Sequence, residues 1–360
     1  MGAGGPAVFS RDRAQITLIG RDLFNPMLIL GIESSCDDAA AAVLETTRAG
    51  VAVIRSSAVA NQDDIHRAYG GIVPELASRN HVVTIVPVIE RALETAGVSL
   101  GQIEGLAVTR GPGLVGSLLV GLMCAKGIAQ ASGLAMVGVN HIEGHLLAPM
   151  LENELAMPYL ALVVSGGHTA LFAVEDFGRY RRLGSTRDDA AGEAFDKVAK
   201  LMGLGYPGGR VIDELARDGN PKQVKFPRAR VKNAPRDFSF SGIKTAVATF
   251  LAGEPGRAIA PSDLAASFQE AVVDMLVLPT IAAARELGAG TIALTGGVAA
   301  NSRLRARLAE AAAAEGLRVV APSLKYCTDN AAMIAMAGSW RLLRGERDDL
   351  SIDAEANLRL

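Results

Sequence analysis

The sequence predicts an α/β fold whose central strands are mainly parallel. From Met27 onward, short apolar strands alternate with longer helical stretches, which is the pattern of this class. Residues 28–44 and 159–174 resemble each other, because each runs as an apolar strand, a small polar turn and a second apolar strand. Residues 291–316 have the pattern of a strand, a Gly-Gly turn and a long Ala-rich helix. The repeated hairpin predicts a duplicated fold.

Length and composition agree with such a fold. The chain has 360 residues, of which 49% are hydrophobic and 21% charged, and this composition excludes a disordered or collagen-like protein. At about 150 residues per domain, the length predicts two domains or one duplicated unit. The 36 basic and 38 acidic residues give a net charge of −2, which argues against a protein that coats nucleic acid non-specifically and leaves only a local basic patch open.

The cysteines and the apolar stretches bear on the compartment. Cys36, Cys124 and Cys327 are few, scattered and outside any CxxC pair, so we expect free thiols in a reducing compartment. The most apolar stretch, residues 113–139, is interrupted by Lys126 and contains several Gly and Ser residues. This pattern favours a buried helix and strand over a membrane span.

The two hairpins are the first elements with a ligand-binding pattern. Their tips are built from small residues, which present backbone N–H groups without side-chain bulk and suit a phosphate. The alternative is that both are ordinary hairpins. Between them we expect a helix that carries Glu75, Arg79 and His81, and then a strand, a Gly-Pro-Gly turn and a helix over residues 106–129. The small residues of that last helix suit close packing or a ligand, and packing is favoured.

A pair of histidines predicts a metal site. His141 and His145 are four residues apart, which places both imidazoles on one face of a helix, where they can bind one ion together. The pattern differs from the HExxH of metallopeptidases, because Glu143 lies roughly 200° around the helix from His141 and faces away from the ion. A surface pair without a metal is the alternative.

A third ligand is required, and Asp329 is the candidate. It lies where a loop meets a helix, just beyond the strand expected at residues 318–320. On the sequence alone, a helix N-cap is the favoured role for this aspartate. Two imidazoles and one carboxylate with open coordination positions suit iron or zinc that holds a substrate oxygen.

Two further segments have the pattern of a nucleotide site. Residues 188–197 place Asp189, Glu193 and Asp196 near one helical face, which is either a solvated face or a surface from which Asp196 binds ribose hydroxyls. Residues 206–209 predict a tight turn against which a nucleotide can lie, with Asp213 one helical turn further on.

One stretch of the chain is strongly basic. Residues 221–244 contain seven Lys and Arg residues, one Asp and the aromatic residues Phe226, Phe238 and Phe240. Either the cations contact a phosphate backbone while the aromatic rings stack on bases, or the rings are buried beneath a charged loop.

Ten motifs occur in the same order as in the TsaD family, formerly labelled O-sialoglycoprotein endopeptidase. They extend from Met27 to about Gly338, nearly the whole chain, and are GIESSCDD, YGGIVPELASR, GPGLVGS, HIEGH, VSGGHT, DDAAGEAFDK, YPGG, FSFSGIK, GGVAAN and CTDN. On these motifs the sequence is identified as a member of the family by resemblance.

The resemblance implies a fold and an activity. The implied fold is the actin/Hsp70/sugar-kinase-like (ASKHA) fold, with two duplicated ribonuclease-H-like lobes and the active site in the cleft between them. We expect one lobe at residues 27–150, completed by a C-terminal helix at about 330–360, and the other at residues 151–330. The implied reaction transfers threonylcarbamoyl from threonylcarbamoyl-AMP to N6 of the adenosine just 3′ of the anticodon, in tRNAs that read ANN codons, and releases AMP.

The resemblance also implies site residues, a cofactor and partners. The metal ligands are His141, His145 and Asp329, which hold one divalent metal per subunit, Fe²⁺ first and Zn²⁺ second. The partners are tRNA, TsaB and TsaE, with TsaC as the source of threonylcarbamoyl-AMP, in the cytoplasm and without a membrane. The positions that correspond to the substrate and nucleotide site are Val163, Val164, Ser165, Gly166, Gly167, Asp196, Gly209, Asp213 and Asn301.

Two features depart from the family pattern. Asn140 replaces a histidine that is often found just before the first ligand histidine, and residues 1–26 have no family counterpart. We expect this leader to be disordered or to result from a misplaced start.

Three other functions remain as rivals. An ATPase or small-molecule kinase of the same fold holds Mg²⁺ through carboxylates and phosphates and needs no imidazoles. A metallopeptidase is disfavoured by the position of Glu143. A non-catalytic assembly partner does not need the metal and nucleotide positions that this chain retains.

Overall fold

A computed structural model of the chain describes residues 26–46 and 52–360. The predicted leader, residues 1–26, falls outside the described residues except for Pro26. The described chain folds into two compact units. The first unit comprises residues 26–46, 52–153 and 322–360, and the second unit comprises residues 154–321.

Strands and helices alternate as the sequence predicts. The strands are β1 (Met27–Glu33), β2 (Ala39–Thr46), β3 (Ala52–Ala60), β4 (Gly105–Gly111), β5 (Ala135–Asn140), β6 (Tyr159–Val164), β7 (Thr169–Asp176), β8 (Arg179–Ser185), β9 (Thr291–Thr295) and β10 (Arg318–Val320). The α-helices are α1 (Asp63–Arg67), α2 (Pro74–Ala96), α3 (Val115–Ser132), α4 (His141–Leu147), α5 (Ala191–Leu201), α6 (Gly208–Ala216), α7 (Ser241–Ala252), α8 (Glu254–Ala258), α9 (Pro261–Leu287), α10 (Ser302–Ala314) and α11 (Ala331–Leu343). Short 3₁₀ helices lie at Leu100–Gln102, Ala148–Leu151, Gly297–Ala300 and Leu324–Tyr326.

The two units contain sheets of the same topology. The first sheet has the order β3-β2-β1-β4-β5 and the second β10-β9-β6-β7-β8, which is the same order read from the opposite edge. In each sheet the first strand pairs antiparallel with the second and parallel with the fourth, so β1 pairs with β2 and β4 as β6 pairs with β7 and β9. The repeated order supports the duplicated fold that the two hairpins predict.

Both sheets are mixed, and four of the five strands in each run in one direction, in agreement with the prediction of mainly parallel strands. Three strands of each sheet pair in parallel, β1, β4 and β5 in one and β6, β9 and β10 in the other. Only β2 and β7 run in the opposite direction. Two successive tight hairpins reverse the chain twice, so β3 and β8 run in the same direction as the parallel strands although each pairs antiparallel with its neighbour.

Strand β2 shows why the first sheet is buried on both faces. Its residues from Ala39 to Leu44 are all inaccessible to solvent, because α2 packs on one face and α11 on the other. Ala39, Ala41 and Val43 belong to the cluster that contains Ile85 of α2. The alternate residues face the opposite side, as the two-residue period of a strand requires. An alanine-rich strand of this kind lets both helices approach closely.

The close approach of α11 places its first turn beside the end of β1. A Cβ built on Gly31 of β1 meets the backbone oxygen of Ala331 and lies 2.9 Å from Cβ of Ala335, so the strand and the helix nearly touch. The residues just before α11 are therefore held near Glu33, the last residue of β1. This packing positions one part of the candidate site.

Within residues 26–46 and 52–360, two helices are long and apolar enough to pass as membrane spans. They are α3, with 33% of its residues buried, and α9, with 78% of its most apolar window buried. The core helix of a soluble protein passes the same test, so this finding is weak evidence for a membrane.

Candidate active site

Helix α4 places the two histidines side by side. It starts directly after β5, and the side chain of Asn140 caps it by accepting a hydrogen bond from the N–H of Ile142 at 2.8 Å. His141 and His145 are one helical turn apart, with ring centroids separated by 4.7 Å. Both are buried. The helical face expected from the spacing is confirmed.

The structure brings Asp329 to this pair. Its Oδ1 lies 3.5 Å from Nε2 of His141 and 3.2 Å from Nε2 of His145, and the three candidate ligand atoms lie within 4.8 Å of one another. Two ligand atoms that bind one ion with bonds of about 2.1 Å at tetrahedral angles lie about 3.4 Å apart. The two Asp329 distances match that value.

The N-cap role that the sequence favours for Asp329 is wrong. Asn330 caps α11, because its Oδ1 accepts a hydrogen bond from the N–H of Met333 at 3.0 Å. Its amide nitrogen donates to the carbonyl of Thr328 at 2.8 Å and fixes the preceding loop. Because the neighbouring asparagine takes the capping role, the carboxylate of Asp329 is directed to the histidines.

Gly144 lets the two ligand-bearing helices pack together. A Cβ at this position would lie 2.8 Å from Cδ1 of Ile334 and 3.1 Å from Cγ of Met333, which are both residues of α11. The small residue between the two histidines therefore lets α4 lie against α11. This contact brings the imidazoles to the loop that carries Asp329.

His145 provides the test of whether these residues fit a metal. It is 0% exposed, and neither of its ring nitrogens makes a hydrogen bond with the part of the chain that the structure describes, although Nε2 lies 3.2 Å from Oδ1 of Asp329. Burying a polar group without a hydrogen bond costs about 1–3 kcal/mol. A metal ion bound to Nε2 removes that cost, so the donor set and its surroundings fit a metal.

Glu33 lies behind His141, and sequence reasoning did not single it out. It is 0% exposed, and its Oε2 lies 3.0 Å from Nδ1 of His141 and accepts a hydrogen bond from Oγ1 of Thr109 at 2.7 Å. Its Oε1 accepts from the N–H of Ser35. An ionised carboxylate can only accept, so it holds a proton of His141 on Nδ1, and Nε2, which faces Asp329, is the nitrogen at which a metal would replace a proton.

The charges around the site favour a cation. Burial raises the pKa of Glu33, but the neighbouring His141 brings it below its ordinary value. Burial lowers the pKa of His141, yet Asp329 and Glu33 together raise it to about 9. Burial, with the nearby charges of Asp37 and Asp329, raises the pKa of Asp38 to about 8. The carboxylates therefore create a negative field that a bound cation would neutralise.

The imidazole of His81 has a structural role. Its Nε2 donates a hydrogen bond to the carbonyl of Cys36 at 2.9 Å, in the turn between β1 and β2. Burial lowers its pKa. The predicted helix with Glu75 and Arg79 is α2, and through His81 it braces this turn.

In the second unit, the tip of the β6–β7 hairpin carries open backbone donors. The N–H groups of Gly166 and Gly167 have no hydrogen-bond partner among the described residues, and a Cβ at either position would meet no atom within 4 Å. Ser165 closes the turn, because its N–H donates to the carbonyl of His168 at 2.7 Å. Val163 and Val164 lie in β6 with buried side chains, so only their backbone can reach a ligand.

Hydrogen bonds between neighbouring elements of the second unit fix the residues predicted to bind the nucleotide. The carboxylate of Asp196 accepts the N–H of Gly208 at 2.8 Å, and Gly209 follows in the first turn of α6. The expected turn at residues 206–209 therefore includes the start of a helix. Asp213, one turn further on, accepts hydrogen bonds from N–H and Oγ of Ser302.

Asn301 is a helix cap in the same unit. Its Oδ1 accepts the N–H of Leu304 at 2.9 Å and its amide nitrogen donates to Oε1 of Gln269 at 2.7 Å. The Gly-Gly turn after β9 thus ends at a fixed asparagine. The roles of these residues in binding stay predictions.

The segment 188–197 connects two of the sequence motifs. Lys197 lies 3.0 Å from Asp189 and 2.6 Å from Glu193, so these charges form a partly solvated network. Asp188 instead accepts hydrogen bonds from Ser239, Phe240 and Ser241 at the start of α7. Sequence reasoning missed this role of Asp188. The FSFSG motif could have indicated this role, because the hydroxyl groups of its two serines are donors that need a nearby acceptor.

The aromatic residues of the basic segment are buried. Phe226, Phe238 and Phe240 are at most 3% exposed. The expectation that these rings stack on bases is therefore wrong, and the alternative, rings buried beneath a charged loop, is confirmed.

Comparison with known proteins identifies the family. The family model for TsaD, tRNA N6-adenosine threonylcarbamoyltransferase, matches residues 53–336. The tRNA N6-adenosine threonylcarbamoyltransferase of Syntrophotalea carbinolica is 53% identical over 333 residues, which cover 92% of this chain and 96% of the relative. That of Anaeromyxobacter dehalogenans is 56% identical over 337 residues, which cover 92% of this chain and 99% of the relative.

The chain belongs to the TsaD family. The resemblance seen in the ten motifs is confirmed. Among solved structures, full-length HypF in a phosphate- and nucleotide-bound form aligns with a TM-score of 0.58 at 14% identity, over 91% of this chain and 56% of HypF. The activator of 2-hydroxyisocaproyl-CoA dehydratase from Clostridium difficile aligns with a TM-score of 0.52 at 14% identity, over 89% of this chain and 96% of the activator. These similarities confirm the ASKHA fold that TsaD membership implies.

Proposed function

We propose that this chain is a tRNA N6-adenosine threonylcarbamoyltransferase, which transfers threonylcarbamoyl from threonylcarbamoyl-AMP to N6 of the adenosine just 3′ of the anticodon. The relatives at 53% and 56% identity carry that name. The observation in the structure that best supports it is the buried group of His141, His145 and Asp329. A kinase or ATPase that uses Mg²⁺ has no need of two imidazoles at such a place.

We propose that these three residues hold one divalent metal, Fe²⁺ first and Zn²⁺ second. Two imidazoles and one carboxylate suit both ions and leave positions open for substrate oxygens. When bound, the metal supplies Lewis-acid polarisation of the carbamoyl group. Glu33 fixes the ring of His141 and its tautomer, and Gly144 fixes the contact between the two helices.

The proposed reaction requires little covalent chemistry from the protein. The donor is a mixed anhydride, so N6 of the adenosine attacks the carbamoyl carbon, the bond from that carbon to the phosphate oxygen breaks, AMP leaves and N6 loses a proton. The protein must orient the reactants and stabilise the departing phosphate. We propose that the open N–H groups of Gly166 and Gly167, together with Ser165, bind that phosphate. We further propose that Asp196, Gly209, Asp213 and Asn301 bind the nucleoside.

The proposed partners are tRNA, TsaB and TsaE, with TsaC as the source of the donor, in the cytoplasm. An exposed apolar surface on α2 and α3 supports a protein partner. Val82 and Val83 of α2 are each 65% exposed, Met123 of α3 is 46% exposed, and the two helices pack against each other. Several large apolar side chains exposed on two packed helices are typical of interaction sites.

The decisive assay supplies threonylcarbamoyl-AMP and unmodified tRNA to the protein, with and without TsaB and TsaE, and measures the modified nucleoside by mass spectrometry. The proposal predicts threonylcarbamoyladenosine together with an equal amount of AMP. Transfer of phosphate from ATP without any modified nucleoside would favour the kinase, and peptide cleavage by the metal-loaded protein would favour the peptidase.

A further inference from the structure

A loop in the second unit carries a concentration of positive charge. Residues 219–236, here named the basic loop, contain six Lys or Arg residues and no Asp or Glu. The loop connects α6 to the segment before α7. The whole chain has a net charge of −2, so this uninterrupted cationic stretch is a local departure from the average.

The cations of the basic loop fall into two groups. Arg228 lies 3.1 Å from Asp274 and Arg236 lies 2.6 Å from Glu286, so both are engaged within the second unit. Four others are exposed and have no carboxylate within salt-bridge distance in the described chain. These four are Lys222, Lys225, Arg230 and Lys232.

The backbone that carries these four side chains is fixed to the core. The N–H of Asn220 donates to Asp263 at 2.7 Å, and the N–H of Val224 donates to Oγ of Ser267 at 3.1 Å. Phe226 is buried, and its ring packs edge-to-face on Phe250 with centroids 6.0 Å apart. The cations therefore project from an anchored loop. Because like charges repel one another, an anion of several charges that binds to these side chains would relieve that repulsion.

The chemistry of the surface selects the kind of partner. No large hydrophobic residue of the basic loop is exposed, whereas a membrane surface is usually bound with apolar anchors beside the cations. The buried rings also leave no aromatic side chain for base stacking. Lysine and arginine without aromatic or apolar neighbours are the side chains that contact the phosphates of a nucleic acid without reading its sequence.

We propose that Lys222, Lys225, Arg230 and Lys232 of the basic loop bind the phosphate backbone of the substrate tRNA. This inference rests on the proposed function, because tRNA is the polyanion which that function brings to the protein. The contact positions the RNA and is independent of its sequence. Recognition of the adenosine and its neighbours belongs to other residues.

The test compares two variants of the full chain that each lose three positive charges. The loop variant replaces Lys225, Arg230 and Lys232 by Ala. The control variant replaces three exposed cations that lie outside the loop and also have no carboxylate partner in the described chain. They come from the two edge strands of the second sheet and from α5, and they are Arg182, Lys200 and Arg318.

Binding of unmodified tRNA is measured by fluorescence anisotropy at several salt concentrations. Each lost phosphate contact reduces the magnitude of the slope of log K against log salt by about 0.7 to 0.9. The loop variant loses three cations, so the magnitude of its slope should be smaller than that of the wild type by about 2 to 3. If the affinities are equal at 1 M salt, this slope change corresponds to an affinity weaker by about 50- to 300-fold at 0.15 M salt. The control variant should keep the wild-type slope, and circular dichroism should show the same melting temperature for all three proteins.

A loop variant with the wild-type slope and affinity overturns the proposal, and so does a control variant that loses as much as the loop variant. Failure of the proposed function gives a different result. In that case the wild-type protein itself makes no threonylcarbamoyladenosine in the mass-spectrometric assay, whatever the salt slope of its binding to RNA.

Discussion

Replacement of Glu33 by Gln is expected to weaken metal binding without unfolding the protein. The carboxylate of Glu33 is fully buried and lies 3.0 Å from Nδ1 of His141. A carboxylate only accepts hydrogen bonds, whereas an amide can also present its NH₂ group to His141. In that arrangement His141 carries its proton on Nε2, the atom that faces Asp329, and it cannot bind a metal there. The amide oxygen then takes the position of Oε1 and still accepts from the N–H of Ser35, and the hydroxyl of Thr109 can rotate to accept from the NH₂ group, so the fold is retained.

The expected loss of metal affinity follows from the role of carboxylates that support a metal-binding histidine. Loss of one typically reduces metal affinity about 10- to 100-fold, which corresponds to about 1.4–2.8 kcal/mol. Competition of the metal-free protein with a chelator of known affinity measures this change for Fe²⁺ and Zn²⁺. Glu104→Gln is the matched control, because the Oε2 of Glu104 accepts the N–H of Leu28 at 3.0 Å at the opposite end of β1. We expect the control to bind metal as the wild type does.

Equal metal affinity in Glu33→Gln and the wild type would refute this reasoning, provided that both melt at the same temperature without metal. A loss of affinity in Glu104→Gln as large as in Glu33→Gln would also refute it. The effect would then be general to substitutions beside β1 and not specific to the tautomer of His141.

Three other perturbations follow from single contacts. Gly144→Ala should lower the free energy of unfolding by about 1–3 kcal/mol and reduce the bound metal, since its Cβ would meet Ile334 at 2.8 Å; normal metal content measured by elemental analysis would contradict this. Asn140→Ala should cost about 1 kcal/mol in urea unfolding through loss of the α4 cap, and an unchanged midpoint would contradict it. Burial raises the pKa of Asp188, but hydrogen bonds from Ser239 and its neighbours lower it below its usual range. This carboxylate therefore stabilises the fold above its unfolded-state pKa and loses that effect as the pH falls through its folded-state pKa. Asp188→Asn should accordingly be less stable than the wild type at pH 7, and the difference should shrink as the pH falls below the ordinary Asp pKa of about 3.9; a difference independent of pH would contradict this.

The local sequence pattern was enough to predict several parts of the structure. The hairpins, the helix of HIEGH and the strand-turn-helix after residue 291 depend on near neighbours in the chain, and each lies where the sequence predicts it. The pairing of His141 with His145 follows from helical spacing alone. Strands β3 and β8 were not singled out from the sequence, because the class pattern emphasises the strands that helices connect.

Other parts depended on contacts between distant segments. The CTDN motif offers two residues that can cap a helix, and only the backbone shows that Asn330 does so and that Asp329 is directed to the histidines. Glu33 ends an apolar strand, and nothing in its neighbourhood indicates that His141 lies beside it. The burial of Phe226 depends on packing against Phe250, which no spacing within the basic loop reveals.

The most direct test of the account measures threonylcarbamoyl transfer and metal content in the same samples. Wild type, His145→Ala and the control variant Lys200→Ala are prepared without metal, reloaded with Fe²⁺, and given threonylcarbamoyl-AMP and unmodified tRNA with the partner proteins. The account predicts one metal per chain and threonylcarbamoyladenosine in the wild type and the control, and loss of both in His145→Ala. Full formation of the modified nucleoside by His145→Ala, or by wild type that elemental analysis shows to be free of metal, would contradict it.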